Sequence, residues 1–179
     1  MFRKKEEAKT EKVIFIEDVP QSDVGAPLPC IAASEHVLCL AYIVRAIDPN
    51  WDGTYVNVVG TETYKEEIAI IQFQRAYAHF FGPPNDEAFE GHPLSRLGLT
   101  PYSVSRIEGS SWIKELLKRN SVHQYHRQDM LSKHNHYIFA FHDTTFECIA
   151  MGFKVRQFKG SMNEALAEMA RIIAEEEPS

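Results

Sequence analysis

Cysteines are scarce in this sequence, and none has the spacing of a metal or redox centre. Cys30, Cys39 and Cys148 are the only three, and no C-x-x-C pair occurs. An odd number of well-separated cysteines argues against a disulfide framework and against a compact zinc motif. Because free thiols are typical of reducing compartments, the sequence predicts a cytoplasmic protein.

Long apolar runs are also missing. No stretch approaches the roughly 20 apolar residues that a membrane-spanning helix needs. The charged start of the chain leads into only four apolar residues, at 13–16, which is too short for the apolar part of a secretion signal. Neither a membrane span nor a signal peptide is therefore predicted.

A surplus of basic residues is the third absence. Lys and Arg number 19 against 25 Asp and Glu, so the net charge is -6. Nucleic-acid binders neutralise phosphates with excess Lys and Arg, and a general nucleic-acid function is not expected. A local basic excess with nearby aromatic residues, between Lys114 and His136, could hold a single strand or an acidic partner. A helix surface that faces water is the simpler interpretation.

Several catalytic motifs are absent as well. The sequence contains no G-x-x-x-x-G-K-[ST], G-x-G-x-x-G, G-x-S-x-G or H-E-x-x-H. These absences argue against a P-loop nucleotidase, a dinucleotide-binding unit, the usual serine hydrolases and a zinc protease. No cofactor is expected.

The residues that are present describe an ordinary folded domain. Hydrophobic residues make up 44% of the 179, and a chain of this length is long enough to bury a core without disulfides or metals. We expect one domain at residues 13–175, between a flexible charged N-terminus at 1–12 and a frayed acidic tail at 176–179.

Alternating or continuous apolar patterns predict the strands. Residues 37–47 are apolar on both faces and rich in β-branched side chains, which suits a central strand. A turn-like segment at 48–53 is expected to open an antiparallel meander. The predicted strands are residues 37–47, 54–59, 66–80, 137–143 and 144–158.

Two segments carry helical spacing. Trp112 to Asn120 follows a pair of serines that can cap a helix, and its apolar residues recur on one face. Ser161 and Glu164 form a capping box in front of an amphipathic C-terminal segment. The sequence therefore predicts an α+β fold: an antiparallel sheet of about six strands with two principal helices, the C-terminal helix packed on the sheet.

The FHDTTFEC segment at 141–148 carries the densest chemistry. If the chain turns at Asp143 and Thr144, His142 and Glu147 share one face of a hairpin, and Cys148 lies on the other. A carboxylate beside an imidazole suits a general base, with Asp143 at the tip as a candidate ligand-binding group. A polar pair that only fixes the hairpin register remains the alternative.

Other histidines give weaker signals. His92 lies in an E-G-H-P-L turn that would hold its ring in a set direction, and His79 could approach it near a strand end. Either can equally have a structural role. Four histidines also fall within residues 123–136, but their spacing matches no tight metal pattern. No metal site is predicted.

Three segments carry a resemblance. With GPPNDEAFEGHPL at 82–94, GSSWIKEL at 109–116 and FHDTTFEC at 141–148, the chain resembles a group of uncharacterised bacterial proteins. That group has a G-H-P-L loop and an F-H-D-x-T-F-E-C hairpin. The resemblance covers roughly residues 70–155 and implies a single folded unit, but it assigns no activity and no catalytic residue.

Two functions remain open. The leading hypothesis is a non-catalytic cytoplasmic module that binds an unidentified protein or small molecule and forms a homodimer through an exposed sheet edge or helix. The alternative is a small-molecule hydrolase with His142 as base, Glu147 orienting it and His92 contacting substrate. The second requires His92, His142 and Glu147 to converge in one pocket.

Overall fold

The computed structural model describes residues 10–45, 59–63 and 65–176. The turn predicted at 48–53, the end of the strand at 37–47 and most of the strand at 54–59 lie outside these ranges. So do most of the predicted N-terminal tail and most of the acidic tail at 176–179. The elements in chain order are β1 (Lys12–Phe15), β2 (Cys30–Ala33), β3 (Leu38–Ile43), β4 (Glu66–Gln74), β5 (Ala78–Gly82), β6 (Val104–Glu108), α1 (Ser111–Asn120), β7 (Asn135–Ala140), β8 (Thr145–Ala150), β9 (Gly152–Gly160) and α2 (Met162–Glu176).

The strands form two antiparallel sheets. One has the order β1-β6-β7-β8-β5 and the other the order β2-β3-β4-β9. The predicted α+β class is confirmed, and so is the C-terminal helix on a sheet. In the described ranges there are nine strands in two sheets, more than the about six predicted for one sheet.

The additional strands arise where long predicted strands divide. The strand predicted at 66–80 breaks at Arg75, which has a positive φ of 52°, and the strand predicted at 144–158 breaks at Met151. At both points the chain passes from one sheet to the other. Backbone bonds from Tyr77 N to Ile149 O and from Met151 N to Gln74 O, 2.7 and 2.9 Å long, keep the two segments paired through the bend.

The main core lies between the two sheets and is rich in aromatic rings. Phe73 of the four-stranded sheet stacks on Phe146 of the five-stranded sheet with ring centroids 5.3 Å apart, and it contacts Phe139 edge-on. Cys148 is fully buried in this core. It therefore faces away from the outer face of its sheet.

Helix α2 covers the outer face of the four-stranded sheet. Its apolar side recurs every three or four residues, as the sequence predicts, and it packs against β2, β3 and β4. The residues that α2 buries there are Met162, Ala165, Met169 and Ile172. In the described part of the chain, no helix combines the length and apolar character needed to cross a membrane.

The predicted capping box begins this helix. Ser161 N donates to Glu164 Oε2 at 2.7 Å, and Glu164 N donates to Ser161 Oγ at 3.3 Å. These reciprocal bonds satisfy amides that the first turn leaves without partners.

We expect Ser161→Ala to lower the free energy of unfolding by about 1 kcal/mol, because one capping acceptor is lost. Ser132→Ala, at an exposed turn, is the matched control and should change stability by less than about 0.5 kcal/mol. Urea unfolding of both variants measures the difference, and equal midpoints would contradict the capping role.

The outer face of the five-stranded sheet is covered differently. A long loop with two short 3-10 turns, Phe89–Gly91 and Ser95–Leu97, lies on it. Apolar side chains of this loop pack on those of the sheet, in a cluster of Phe89, Leu94, Leu99, Ile107, Ile138 and Ala140. Helix α1 begins and ends as predicted, but it buries no residue. The apolar face that the sequence predicts for it is only half-buried, and an open cleft remains beside it.

The three cysteines are free thiols, as predicted. Burial raises the pKa of Cys30 and of Cys39 to about 11. Burial also raises the pKa of Cys148 well above its usual range. Because the thiolate is the reactive form, none of the three is suited to nucleophilic chemistry.

Candidate functional site

The FHDTTFEC hairpin turns one residue earlier than predicted. Phe139 pairs with Phe146 and Ile138 with Glu147, whereas the turn at Asp143 and Thr144 would pair Phe141 with Phe146. The loop at 83–102 explains the shift: Asp86 N donates to His142 O, and Thr145 Oγ1 donates to the carbonyl of residue 84. The shift moves each pairing by two residues, so the division of side chains between faces is unchanged.

Glu147 lies at the centre of a hydrogen-bonded group on the outer face of the sheet. Its Oε2 lies 2.8 Å from His136 Nε2, and its Oε1 lies 3.4 Å from His92 Nε2. His136 is on β7, diagonal to Glu147 across the hairpin. A histidine and a glutamate therefore do pair on one face of the hairpin, as predicted, but the histidine is residue 136. The predicted pairing of Glu147 with His142 was wrong.

The loop presents His92 to this carboxylate. The ring stacks on Phe89, with centroids 5.5 Å apart and planes 15° apart. Leu94 N donates to His92 Nδ1 at 3.1 Å. Because a backbone amide can only donate, we assign Nδ1 as unprotonated and Nε2–H as the donor to Glu147.

A similar assignment applies to His136. Ser110 caps α1, because its Oγ accepts the amide hydrogen of Ile113 at 3.3 Å. The same Oγ lies 3.0 Å from His136 Nδ1, so its hydroxyl hydrogen is free to be donated to that nitrogen. Nε2–H of His136 then donates to Glu147. With these hydrogen positions, we assign both rings as neutral hydrogen-bond donors to one carboxylate.

These donors determine the ionisation of Glu147. Burial of the carboxyl raises its pKa, but hydrogen bonds from His136 and His92 outweigh burial and, together with the attraction that the two rings exert when they are protonated, lower the pKa to about 2. The side chain is 19% exposed. At neutral pH the site is a largely buried, ionised carboxylate.

The exposed edge of this carboxylate opens into a cleft. We call it the Glu147 cleft; its volume is about 590 Å³, and it is lined by Phe80, Ser111, Trp112, Glu115 and Glu147. Phe80 lies directly opposite Glu147 across the β5–β8 pair. Trp112 contacts His136 edge-on, with centroids 5.2 Å apart. Aromatic rings therefore lie near both sides of the carboxylate.

The group is not built to hold a metal ion. A histidine ligand must present an unprotonated nitrogen to the metal, whereas His92 presents Nε2–H towards Glu147. Within residues 10–45, 59–63 and 65–176, no group of three or more His, Cys, Asp or Glu could hold a metal.

A second polar group surrounds the hairpin tip. His142 Nδ1 lies 3.3 Å from Asp86 Oδ1 and 3.9 Å from Asp143 Oδ1, and Tyr102 donates a short hydrogen bond to Asp86. That bond lowers the pKa of Asp86 and raises the pKa of Tyr102 to about 12. Burial opposes charge on His142, but a backbone hydrogen bond and the nearby carboxylates raise its pKa overall.

Asp86→Asn should lower the pKa of His142, because it removes the nearest carboxylate. Glu147→Gln should leave that pKa unchanged, since Glu147 contacts other histidines. A histidine titration followed by NMR measures both. The assignment fails if Glu147→Gln moves the titration as far as Asp86→Asn does.

The remaining predicted residues lie elsewhere. His79 is exposed on β5 and lines a small cavity beside the β2–β3 connection, with Ala76 and Tyr77 among its neighbours. The histidine run is dispersed, because His126 contacts Asn120 and His134 contacts the carbonyl of Arg75. Of the predicted candidates, the structure brings together only His92 with Glu147, and His142 with Asp143.

A larger cavity, about 1070 Å³, lies at the bend between the sheets. Its wall contains acidic and basic side chains together: Glu35, Glu176, Arg75 and Lys154. This mixture indicates no single ligand chemistry. The Glu147 cleft is smaller, but it combines a buried charge with aromatic walls, and we take it as the candidate site.

Sequence reasoning missed His136, Ser110, Trp112 and Phe80 as members of this site. His136 was considered only within the histidine run, and Ser110 only as a helix cap. A usable signal existed, because His136, Ile138 and Ala140 alternate with the core residues of the same strand and share a face with Glu147.

Comparison with known proteins found no matching family model, no similar curated protein and no similar solved structure. The resemblance to bacterial proteins with a G-H-P-L loop therefore stays a prediction. The three segments that carry it supply His92, Ser110, Trp112 and Glu147, all of which belong to the site described above.

Proposed function

We propose that this protein is a non-catalytic binding module whose ligand occupies the Glu147 cleft. The supporting observation is that both nitrogens of His92 and of His136 are engaged in hydrogen bonds within the protein. A general base that acts directly on a substrate needs a free lone pair that faces it. Each of these histidine side chains is only 4% exposed. The rings therefore hold the carboxylate in place, and the carboxylate is what a ligand meets.

The cleft has the features of a small ligand site. Its volume falls in the range of about 300–1,000 Å³ that is common for such sites, and apolar walls with a few fixed polar groups are typical. Trp112 and Phe80 supply the apolar surface, and Glu147 supplies a fixed charge. Helix α1 buries no residue, so the wall that it forms can adjust to a ligand.

An NMR fragment screen of the ¹⁵N-labelled full chain tests this proposal. We expect the fragments that bind to shift amide signals at Phe80, Ser111, Trp112 and Glu147, and Trp112→Leu to abolish these shifts. Lys159→Ala, on a distant exposed strand, is the control. The proposal fails if fragments shift only signals around the larger cavity at Arg75, or none at all.

The hydrolase hypothesis has less support in its original form, because His142 and Glu147 have different partners. A second candidate function uses other residues of the same site. Ser110, His136 and Glu147 form a chain of hydrogen bonds 3.0 and 2.8 Å long, which is the order of a nucleophile, a base and an orienting acid. Ser110 is only 3% exposed, and for this reason we rank catalysis second.

A fluorophosphonate probe separates the two functions, because it labels serines activated by a base. Binding without catalysis predicts no labelling of Ser110, even at long incubation. Stoichiometric labelling that is lost in Ser110→Ala and in His136→Gln, but retained in Ser132→Ala, would favour the hydrolase.

Compartment and assembly follow from weaker signals. The free thiols support a reducing compartment such as the cytoplasm, and a bacterial source is suggested only by the resemblance.

A homodimer stays a prediction. Strand β9 is an edge strand with Lys154, Arg156 and Lys159 along it. Such charges oppose edge-to-edge pairing, so light scattering that shows a dimer would point to another surface.

A further inference from the structure

We propose that the Glu147 cleft binds an organic cation, namely an alkylammonium or guanidinium group. This inference rests on the proposed binding function and specifies its ligand. The shared chemistry is a positive charge carried on an apolar stem. A free small amine and a Lys or Arg side chain of a partner protein both provide it.

Charge is the first step. Glu147 is ionised, and the two imidazoles that contact it are neutral donors by the assignments above. Neutral donors hold a carboxylate in position without cancelling its charge. Glu115, the other acid of the cleft, pairs with Arg119 one helical turn away. Among the residues that the structure describes, the cleft therefore presents one negative charge, that of Glu147, without a charged partner in its lining.

The aromatic walls are the second step. Cations are attracted to the faces of Trp and Phe rings, and Phe80, 42% exposed, lies opposite Glu147 on the neighbouring strand. Trp112 is held by its edge contact with His136. A carboxylate between aromatic side chains attracts a cation through its charge, and the ring faces attract it as well. The rings also accommodate the apolar stem of the cation.

Anions and metal ions fit less well. A helix N-terminus often attracts anions, and α1 begins beside the cleft. However, Ser111 N donates to Glu11 Oε1 at 2.7 Å, and Ile113 N donates to Ser110 Oγ. Protein groups therefore already use these two amides. A metal ion is disfavoured because His92 presents a hydrogen, not a lone pair, towards Glu147.

The test uses matched probes on the full-length chain. N-acetyl-lysine-N-methylamide and N-acetyl-arginine-N-methylamide carry the cation, and N-acetyl-norleucine-N-methylamide is a neutral analogue of the lysine probe. Titrations are followed by the NMR signals of Trp112 and Phe80. We expect the cationic probes to bind at least about tenfold more tightly than the neutral probe. Their affinity should fall as the salt concentration is raised.

Two variants locate the effect. Glu147→Gln should reduce the affinity for the lysine probe about tenfold, towards that of the neutral probe. Phe80→Leu should reduce it about threefold to tenfold through loss of the ring. Because Phe80 is exposed, that variant stays informative even if Glu147→Gln fails to fold. Glu108→Gln, on β6, should change nothing.

The outcomes separate the two proposals. If neutral and cationic probes bind the cleft equally well, or if neither Phe80→Leu nor Glu147→Gln lowers the affinity for the lysine probe, the proposal of a cationic ligand is wrong. The proposal of a binding site in the cleft is not affected. If the fragment screen and every probe leave the Trp112 signals unmoved, the binding site itself is wrong.

A further arm identifies the source of the cation. Butylammonium that binds as tightly as the lysine probe indicates a free amine. A lysine-containing decapeptide that binds more than about tenfold tighter than the lysine probe indicates a protein partner, since backbone contacts add affinity. Either result supports a cation site.

Discussion

Phe146→Ala should lower the free energy of unfolding by about 4 kcal/mol, because it creates a cavity where the two sheets meet. The ring is fully buried. It stacks on Phe73 at 5.3 Å and contacts Phe139 at 6.0 Å and Phe81 at 6.4 Å. These partners come from both sheets, so the surrounding backbone cannot easily close the void. Urea unfolding followed by circular dichroism measures the loss.

Phe15→Ala is the matched control for this prediction. Phe15 is 49% exposed at the end of β1, and its loss should cost less than about 1 kcal/mol. Equal losses for the two variants would mean that the contact between the sheets contributes little to stability. The division of the chain into two packed sheets would then need revision.

Local signals predicted the elements whose determinants are close together in sequence. The capping box of Ser161 and Glu164 places both partners within four residues, and the helix that it begins has the expected apolar face. Likewise, Ser110 and Asn120 mark the two ends of α1 as the sequence suggests. Such features depend on backbone geometry within one or two turns, and no knowledge of the rest of the fold is needed.

The division into two sheets depends on information that is not local. Residues 66–80 read as one strand, because the apolar pattern continues through Arg75. The break requires a positive φ at Arg75 and two backbone bonds to the β8–β9 segment. Neither follows from the composition of the segment. The bend therefore becomes visible only when both strands of the ribbon are placed together.

The site shows the same limit. His92 and Glu147 were both selected from their local settings, but 55 residues separate them, and only the folding of the loop onto the sheet brings them to 3.4 Å. The histidine on the hairpin was misassigned because the turn is fixed by the backbone of residues 84–86. A one-residue displacement of the turn places His142 near Asp86 and Asp143 instead of Glu147. His136 provides the second hydrogen bond to Glu147.

Glu147→Gln should lower the free energy of unfolding at pH 7 by about 3 kcal/mol, since the glutamine side chain cannot replace both carboxylate oxygens. Its carbonyl can accept one imidazole N–H, from His92 or His136. Its amide group would then direct a hydrogen at the N–H of the other imidazole, so that two donors would face each other. The loss of charge also removes the advantage that keeps the pKa at about 2 instead of 4.5, a difference worth about 3 kcal/mol.

The sign of the pH dependence makes this prediction specific. The pKa of Glu147 is lower in the folded state than in the unfolded state, so the carboxylate stabilises the fold fully above about pH 4.5. That stability is lost as the pH falls towards 2. Glu147→Gln lacks this pH-dependent contribution to stability. The difference between its unfolding free energy and that of the unaltered protein should therefore shrink as the pH falls from 4.5 to 2.

Glu108→Gln supplies the control in the same sheet, because Glu108 is 49% exposed and its partner Arg106 is also accessible. Exposed pairs of this kind contribute roughly 0 to 1 kcal/mol, so its curve should run parallel to that of the unaltered protein. Urea titrations at half-unit steps from pH 7 to pH 2 distinguish the cases. If the Glu147→Gln curve also stays parallel down to pH 2, the two histidines do not hold this carboxylate ionised, and the cleft lacks the fixed charge on which a cationic ligand depends.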